Sequence, residues 1–274
     1  MTTMSGPTGS SDLPGGSGAE RFAPGTFAPD PRPAPRASML AAQTRLELVL
    51  LLRNGEQLLL TLFIPVTLLV GLTLLPFGDL GGVRVDTVVP AVMTVAVMST
   101  AFTGQAIAVG FDRRYGALKR LGATALPSWG IIAGKSLAVG VVVILQSIVL
   151  GVIGAALGWR PTLLGLGIGA LVIALGTVTF ATMGLLLGGT LRAEIVLALA
   201  NIAWFVMLGV GSVVFATDAL PGIVRTLARC IPSGAMTETL EQAVVGHVDS
   251  TGILVLVIWA AVCGVWATRK FSFT

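Results

Sequence analysis

Charge is scarce in this chain. Of its 274 residues only 11% are Asp, Glu, Lys or Arg, against roughly 25% in a soluble domain, whereas 54% are hydrophobic and the mean hydropathy is +0.92. So few charges cannot coat a water-soluble globule, and the composition is that of an integral membrane protein. Histidine occurs once, at His247 in a loop near Asp249, and a lone loop histidine is more often solvated than catalytic, so it is assigned no role. The two cysteines, Cys230 and Cys263, stand 33 positions apart. They provide neither a disulfide framework nor a set of metal ligands, so no metal-binding residue is assigned. Acidic residues are absent from the long apolar runs. Proton-coupled transport and many forms of ion-coupled transport need ionisable groups at membrane depth, so the driving energy is expected from elsewhere. The net charge of +4 does not mark a nucleic-acid binder, because the basic residues are spread between apolar runs rather than gathered on one soluble face.

What the chain has in quantity is apolar length. Six runs, near 57–76, 88–110, 129–157, 162–188, 195–215 and 251–268, are long enough to cross a hydrocarbon core of about 30 Å as helices. The expected fold class is therefore an all-α integral membrane protein, with a six-span transmembrane domain over 57–270. Residues 1–37, rich in Gly, Pro, Ser and Thr without apolar periodicity, are expected to be a disordered tail. They lack the charged start, apolar core and cleavage site of a signal peptide, so the first span is expected to act as its own insertion signal. An amphipathic helix is expected over 38–56, with Ser38 as its N-cap. Gln43 and Glu47 lie on one side with Arg45 flanking them, Leu46, Val49 and Leu50 lie on the other, and Arg53 stands at the membrane boundary.

An even number of spans places both termini on one side of the membrane. Thirteen of the 17 basic residues fall on that side, leaving only Arg84, Arg160, Arg225 and Arg229 opposite. The excess of Lys and Arg points to cytoplasmic termini in a multi-pass protein. Close helix packing is expected where glycines recur at four-residue spacing, as at Gly154 and Gly158, Gly165 and Gly169, and Gly184 and Gly188. The segment 216–250 is the one sizeable external connection. Its apolar residues recur at helical spacing on either side of Pro232, which fits two short helices that either dip into the outer leaflet or lie in water.

The most polar island between two apolar runs is 111–127, FDRRYGALKRLGATALP. At about 100° per residue, Phe111, Tyr115 and Leu118 share one side while Arg113, Lys119 and Arg120 lie largely away from it. Two readings follow: a short helix able to dock into a groove or lie on the membrane, or a basic loop that only fixes orientation. The string GIIAGKS at 130–136 has three residues between its glycines where a phosphate-binding loop needs four, and it opens an apolar run. Lys135 is expected instead to snorkel toward the headgroups. Gln105, Gln146 and Asn201 are the polar candidates for a substrate path, with interhelical hydrogen bonding as the commoner use of such side chains.

The island resembles the coupling segment of the permease subunits of type 2 ABC exporters, a group that includes bacterial drug and glycolipid exporters. Asp112 and Arg113 match an acidic-Arg element. The stretch 115–124, YGALKRLGAT, matches the Gly-Thr-Leu, basic, Leu and small-Thr pattern that follows, although Ala117 stands where Thr is usual and Ala125 and Leu126 separate Thr124 from Pro127. The likeness runs over about 38–270. It implies that Phe111, Asp112, Arg113, Arg114, Tyr115, Gly116, Leu118, Lys119, Arg120 and Leu121 form a coupling helix at about 111–121. It further implies that Arg45, Glu47 and Arg53 lie on a helix contacting the same partner, and that the external segment is re-entrant. The partners implied are cytoplasmic ABC ATPase subunits that bind ATP and Mg in trans, and a second permease subunit, within the lipid of the inner membrane. The chain itself is expected to bind no cofactor. A membrane-embedded lipid-modifying enzyme and a non-transporting scaffold are the alternatives.

Overall fold

The computed structural model describes residues 34–74, 84–124, 127–213 and 222–270. The chain divides into two units, Met1–Ala34 and Pro35–Thr274, and every helix below belongs to the second. The expected tail therefore lies almost wholly outside the described residues, as do 214–221 of the external connection.

Helix α1 (Arg36–Arg53) begins two residues before the expected Ser38 cap, with Pro35 at the N-cap position. The fixed φ of proline suits that entry. Only Asn54 separates α1 from α2 (Gly55–Leu74). The second apolar run is longer than its hydropathy indicates. Helix α3 (Arg84–Val97), a π-helical segment (Met98–Gly104) and α4 (Gln105–Arg114) follow one another without a break, so Asp86 and Asp112 are helical residues. A short α5 (Ala117–Gly122) precedes the long α6 (Ser128–Ala156) and α7 (Leu163–Thr190). Thr162 caps α7 by accepting a hydrogen bond from the Gly165 amide at 2.9 Å. Helix α8 (Ala193–Val213), the short α9 (Gly222–Arg229), α10 (Pro232–Val244) and α11 (Ser250–Lys270) complete the order. Among the described residues, five helical stretches are long and apolar enough to cross a membrane, from Arg84–Arg114 onward, and α2 contributes the shorter apolar stretch Thr61–Leu74.

Contacts at the helix ends show how the bundle is strung. The ends of α4, α7 and α11 meet the starts of α6 and α8: Leu118 of α5 is fully buried against Val109, Ile131, Leu185 and Ala267, and Arg114 pairs with Glu194. At the opposite end the starts of α3, α7 and α11 meet α9 and α10. There Thr87 donates to Glu241 at 3.5 Å, the Thr162 amide donates to Val244 O at 3.2 Å, and Arg229 lies 3.5 Å from Asp249. The long helices therefore alternate in direction.

Helix α10 is the most enclosed element. Pro232 through Leu240, Ala243 and Val244 are buried, and three of the polar side chains among them have partners: Ser233 donates to Met207 O at 2.8 Å, Thr239 to Ala235 O at 2.7 Å, and Glu238 pairs with Arg229 at 2.8 Å. A helix lying free in water does not describe the burial of α10. Pro232 opens α10 at the position where a missing amide costs nothing.

The core runs through α3, the π segment and α7, around Val89, Val92, Met98, Phe102 and Phe180. One expected glycine pair explains how α7 reaches it. A Cβ at Gly184 would lie 2.7 Å from Phe102 O and 3.0 Å from Ala101 O, so the backbones touch there with no room for a side chain. Gly184→Ala should force the helices apart and cost about 1–3 kcal/mol. Thermal unfolding of the solubilised protein checks this against Gly169→Ala, where a Cβ meets nothing within 4 Å.

Candidate functional site

The island does not fold as one helix. Its first four residues finish α4, the chain turns at Tyr115 and Gly116, and α5 takes Ala117–Gly122. Gly116 makes the turn with φ of +70°, a left-handed conformation that is inexpensive only for glycine. The expected common face is thereby divided. Leu118 points into the bundle and anchors α5, whereas Phe111 and Tyr115 stack on each other with centroids 6.0 Å apart and Tyr115 is 67% exposed.

The four basic residues divide in the same way. Arg113 turns inward, its guanidinium donating to Gly188 O and Leu191 O, each at 3.1 Å. It closes the carbonyl end of α7, where a cation also meets the negative pole of the helix. Arg114 lies over the Phe111 and Tyr115 rings at 6.0 and 5.9 Å and pairs with Glu194 across an exposed surface, an arrangement worth little to stability. Lys119 and Arg120 are exposed on α5. Arg113→Ala should remove hydrogen bonds from a charged donor and cost about 1.5–3 kcal/mol. Arg114→Ala, removing only exposed contacts, should leave the unfolding temperature nearly unchanged.

Directly behind this surface lies an ion-paired seam. Lys135, near the start of α6, donates to Glu47 at 2.8 Å and to Asp112 at 2.6 Å. Glu47 and Lys135 are about nine-tenths buried and Asp112 about one-third exposed. Glu47 also accepts from Gln43 at 2.8 Å. One ammonium thus joins three helices, α1, α4 and α6.

One expectation is corrected here. Lys135 does not snorkel outward, because two carboxylates hold it in the interior. On α1 the two expected sides are present, with Gln43 and Glu47 as its buried residues, while Leu46, Val49, Leu50 and Leu52 are 43–57% exposed. The helix is amphipathic in the inverted sense, apolar toward its surroundings and polar toward the protein. Arg45 and Arg53 are exposed on it.

The three amides proposed for a substrate path are placed as follows. Gln146 is buried, accepting from Thr100 at 2.9 Å and donating to Thr61 O at 3.3 Å. Gln105 is buried and donates to Ser136 at 3.4 Å. Asn201 bonds back to Leu197 O at 2.7 Å from an exposed position on α8. The string GIIAGKS is helical, within α6.

Sequence reasoning missed Lys135 and Gln43 as site residues. The available signal was a lysine seven residues into an apolar helix, combined with an acidic residue opposite the leucine stripe of α1. Such groups settle inside a membrane protein by pairing.

No curated protein matches the chain. The family model described as ABC-2 type transporter matches residues 40–244, from the first turns of α1 to the end of α10. That span contains the seam, the divided island and the enclosed α10. With its apolar helices and this match over most of its length, the chain belongs to the ABC-2 type transporter family and is a multi-pass transmembrane permease component of an ABC transporter.

Proposed function

We propose that the chain is the permease subunit of an ATP-driven exporter that moves a hydrophobic or amphipathic substrate outward. It acts as a homo- or heterodimer on two cytoplasmic ATPase subunits that bind ATP and Mg. The observation that supports this best is the two-sided construction of the island. Leu118, Arg113 and Asp112 fasten it to α6, α7 and, through Lys135, to α1. Tyr115, Lys119 and Arg120 remain exposed on the far side, with the Arg114 ring contacts beside them. A docking surface rigidly tied to several transmembrane helices can transmit a displacement of its partner to all of them.

In this reading α2 is a sixth span. Alternating helix directions and the excess of basic residues at the island end support cytoplasmic termini in the cell membrane. Helix α10 is re-entrant, its backbone covered by the bundle as the hydrocarbon region requires. Helix α1 lies in the inner interface with Leu46, Val49 and Leu50 toward lipid. Asn201, on the outward side of α8, is the amide placed to meet a molecule or subunit beyond this bundle.

Co-purification with the partner ATPase, followed by reconstitution in proteoliposomes, tests the reading. ATP hydrolysis should rise several-fold on adding the amphipathic substrate class. A complex whose hydrolysis never responds is a scaffold, and flux driven by an ion gradient without the ATPase indicates secondary transport. Either result overturns the proposal.

A further inference from the structure

Above the seam, between α1, α2, the π segment, α4 and α6, lies a cavity of about 40 Å³ bordered by Glu47, Lys135, Thr61, Thr100 and Gln105 together with apolar side chains. Size decides what it can hold. Sites for drug-sized molecules run to roughly 300–1,000 Å³, whereas a single water needs about 10–15 Å³ of such volume. The cavity therefore excludes a substrate and admits two or three waters.

Its chemistry points the same way. Gln105 is 3% exposed; its amide nitrogen donates to Ser136, but no protein group donates to its Oε1, which is buried. A lysine ammonium has three N–H donors, and Lys135 directs two of them to Glu47 and Asp112. An unused donor and an unused acceptor thus belong to two residues that border one small space. Purely apolar cavities stay dry, whereas waters occupy those offering two to four polar partners.

We propose that this cavity is a water-binding site in which one or two ordered waters bridge the Lys135 ammonium and the Gln105 carbonyl. The bridge extends the polar chain from Asp112 through Lys135 and Gln105 to Ser136, beside the Thr100–Gln146–Thr61 chain. It places exchangeable hydrogen bonds where the π segment faces α6, so these helices can shift without stranding a buried polar group. The site stands independently of the export reading.

Radiolytic labelling of the full chain in nanodiscs, using H₂¹⁸O as the probe, tests it. X-ray cleavage of a bound water oxidises side chains in contact with it. Val142 and Val139, bordering the cavity, are 3% and 4% exposed; Val89 and Val92, equally inaccessible in the main core, are 1% and 2% exposed. Labelling at Val139 and Val142 should exceed that at Val89 and Val92 several-fold. Gln105→Met, which keeps the length and removes the acceptor, should bring it down to their level. Equal labelling of all four valines in the unmodified chain overturns the proposal without recourse to a variant, and so does undiminished labelling in a folded Gln105→Met protein.

Discussion

Lys135→Met should lower the unfolding temperature of the solubilised protein by roughly 6–12 °C, the equivalent of about 3 kcal/mol for a chain of this size. The loss sits at the low end of the range for breaking a buried ion pair, because Asp112 is 34% exposed and can be rehydrated, whereas Glu47 is 9% exposed and cannot. Most of the loss is the cost of stranding the carboxylates rather than the worth of the attraction. The triple variant Lys135→Met, Glu47→Gln, Asp112→Asn should therefore recover most of the stability, since replacing a whole buried charged group with neutral side chains is often close to neutral. The two variants should separate in function as well. If the seam holds α1 and α4 on one platform, the triple variant remains folded but couples ATP hydrolysis to transport less tightly. An unchanged unfolding temperature in Lys135→Met would mean that the seam does not hold these helices together.

Much of the fold is legible in the residues, for a simple reason. Long apolar runs can be satisfied in a bilayer only as helices, so hydropathy alone locates 129–157, 162–188 and 251–268 within a few residues of their observed ends, and the starts of 57–76 and 195–215 equally closely. The run at 88–110 is less well bounded, because Asp86, Asp112 and Arg113 dilute its hydropathy while helical hydrogen bonding continues to Arg114. The π segment leaves no composition signal at all. The direction of α1 is illegible for another reason. A stripe of leucines opposite Gln43 and Glu47 fits a helix with either face outward, and Lys135, 88 positions beyond Glu47, decides between them. The island is partly legible. Its basic content marks it, and Gly116 marks the break, but periodicity read through that glycine merges two helices whose faces are not continuous. Which cations are structural emerges only in three dimensions, since Arg113 and Arg114 are adjacent in sequence yet point to the α7 carbonyls and to the exposed rings respectively.

That division selects the variant with the largest expected effect on assembly. Reversing Arg113 would confuse docking with stability, because it uncaps α7. Tyr115, Lys119 and Arg120 avoid this, since the Arg120 Nη2 contact to Tyr115 O at 3.5 Å is exposed and weak and the Tyr115 ring meets only Phe111 and the exposed Arg114 among the ring contacts described. An exposed tyrosine anchor at an interface is worth about 2 kcal/mol, and opposed charge at its rim adds to that. The triple variant Tyr115→Ala, Lys119→Glu, Arg120→Glu should thus weaken ATPase binding at least about 100-fold, with its unfolding temperature within a degree or two of the parent.

The affinity of the partner ATPase for the membrane-embedded chain, measured side by side for the parent and this triple variant at one fixed ionic strength, tests the central claim most directly. The account predicts loss of binding, with loss of ATP-driven transport, in a protein that unfolds at the parent's temperature. Parental affinity and parental transport in the triple variant would contradict it.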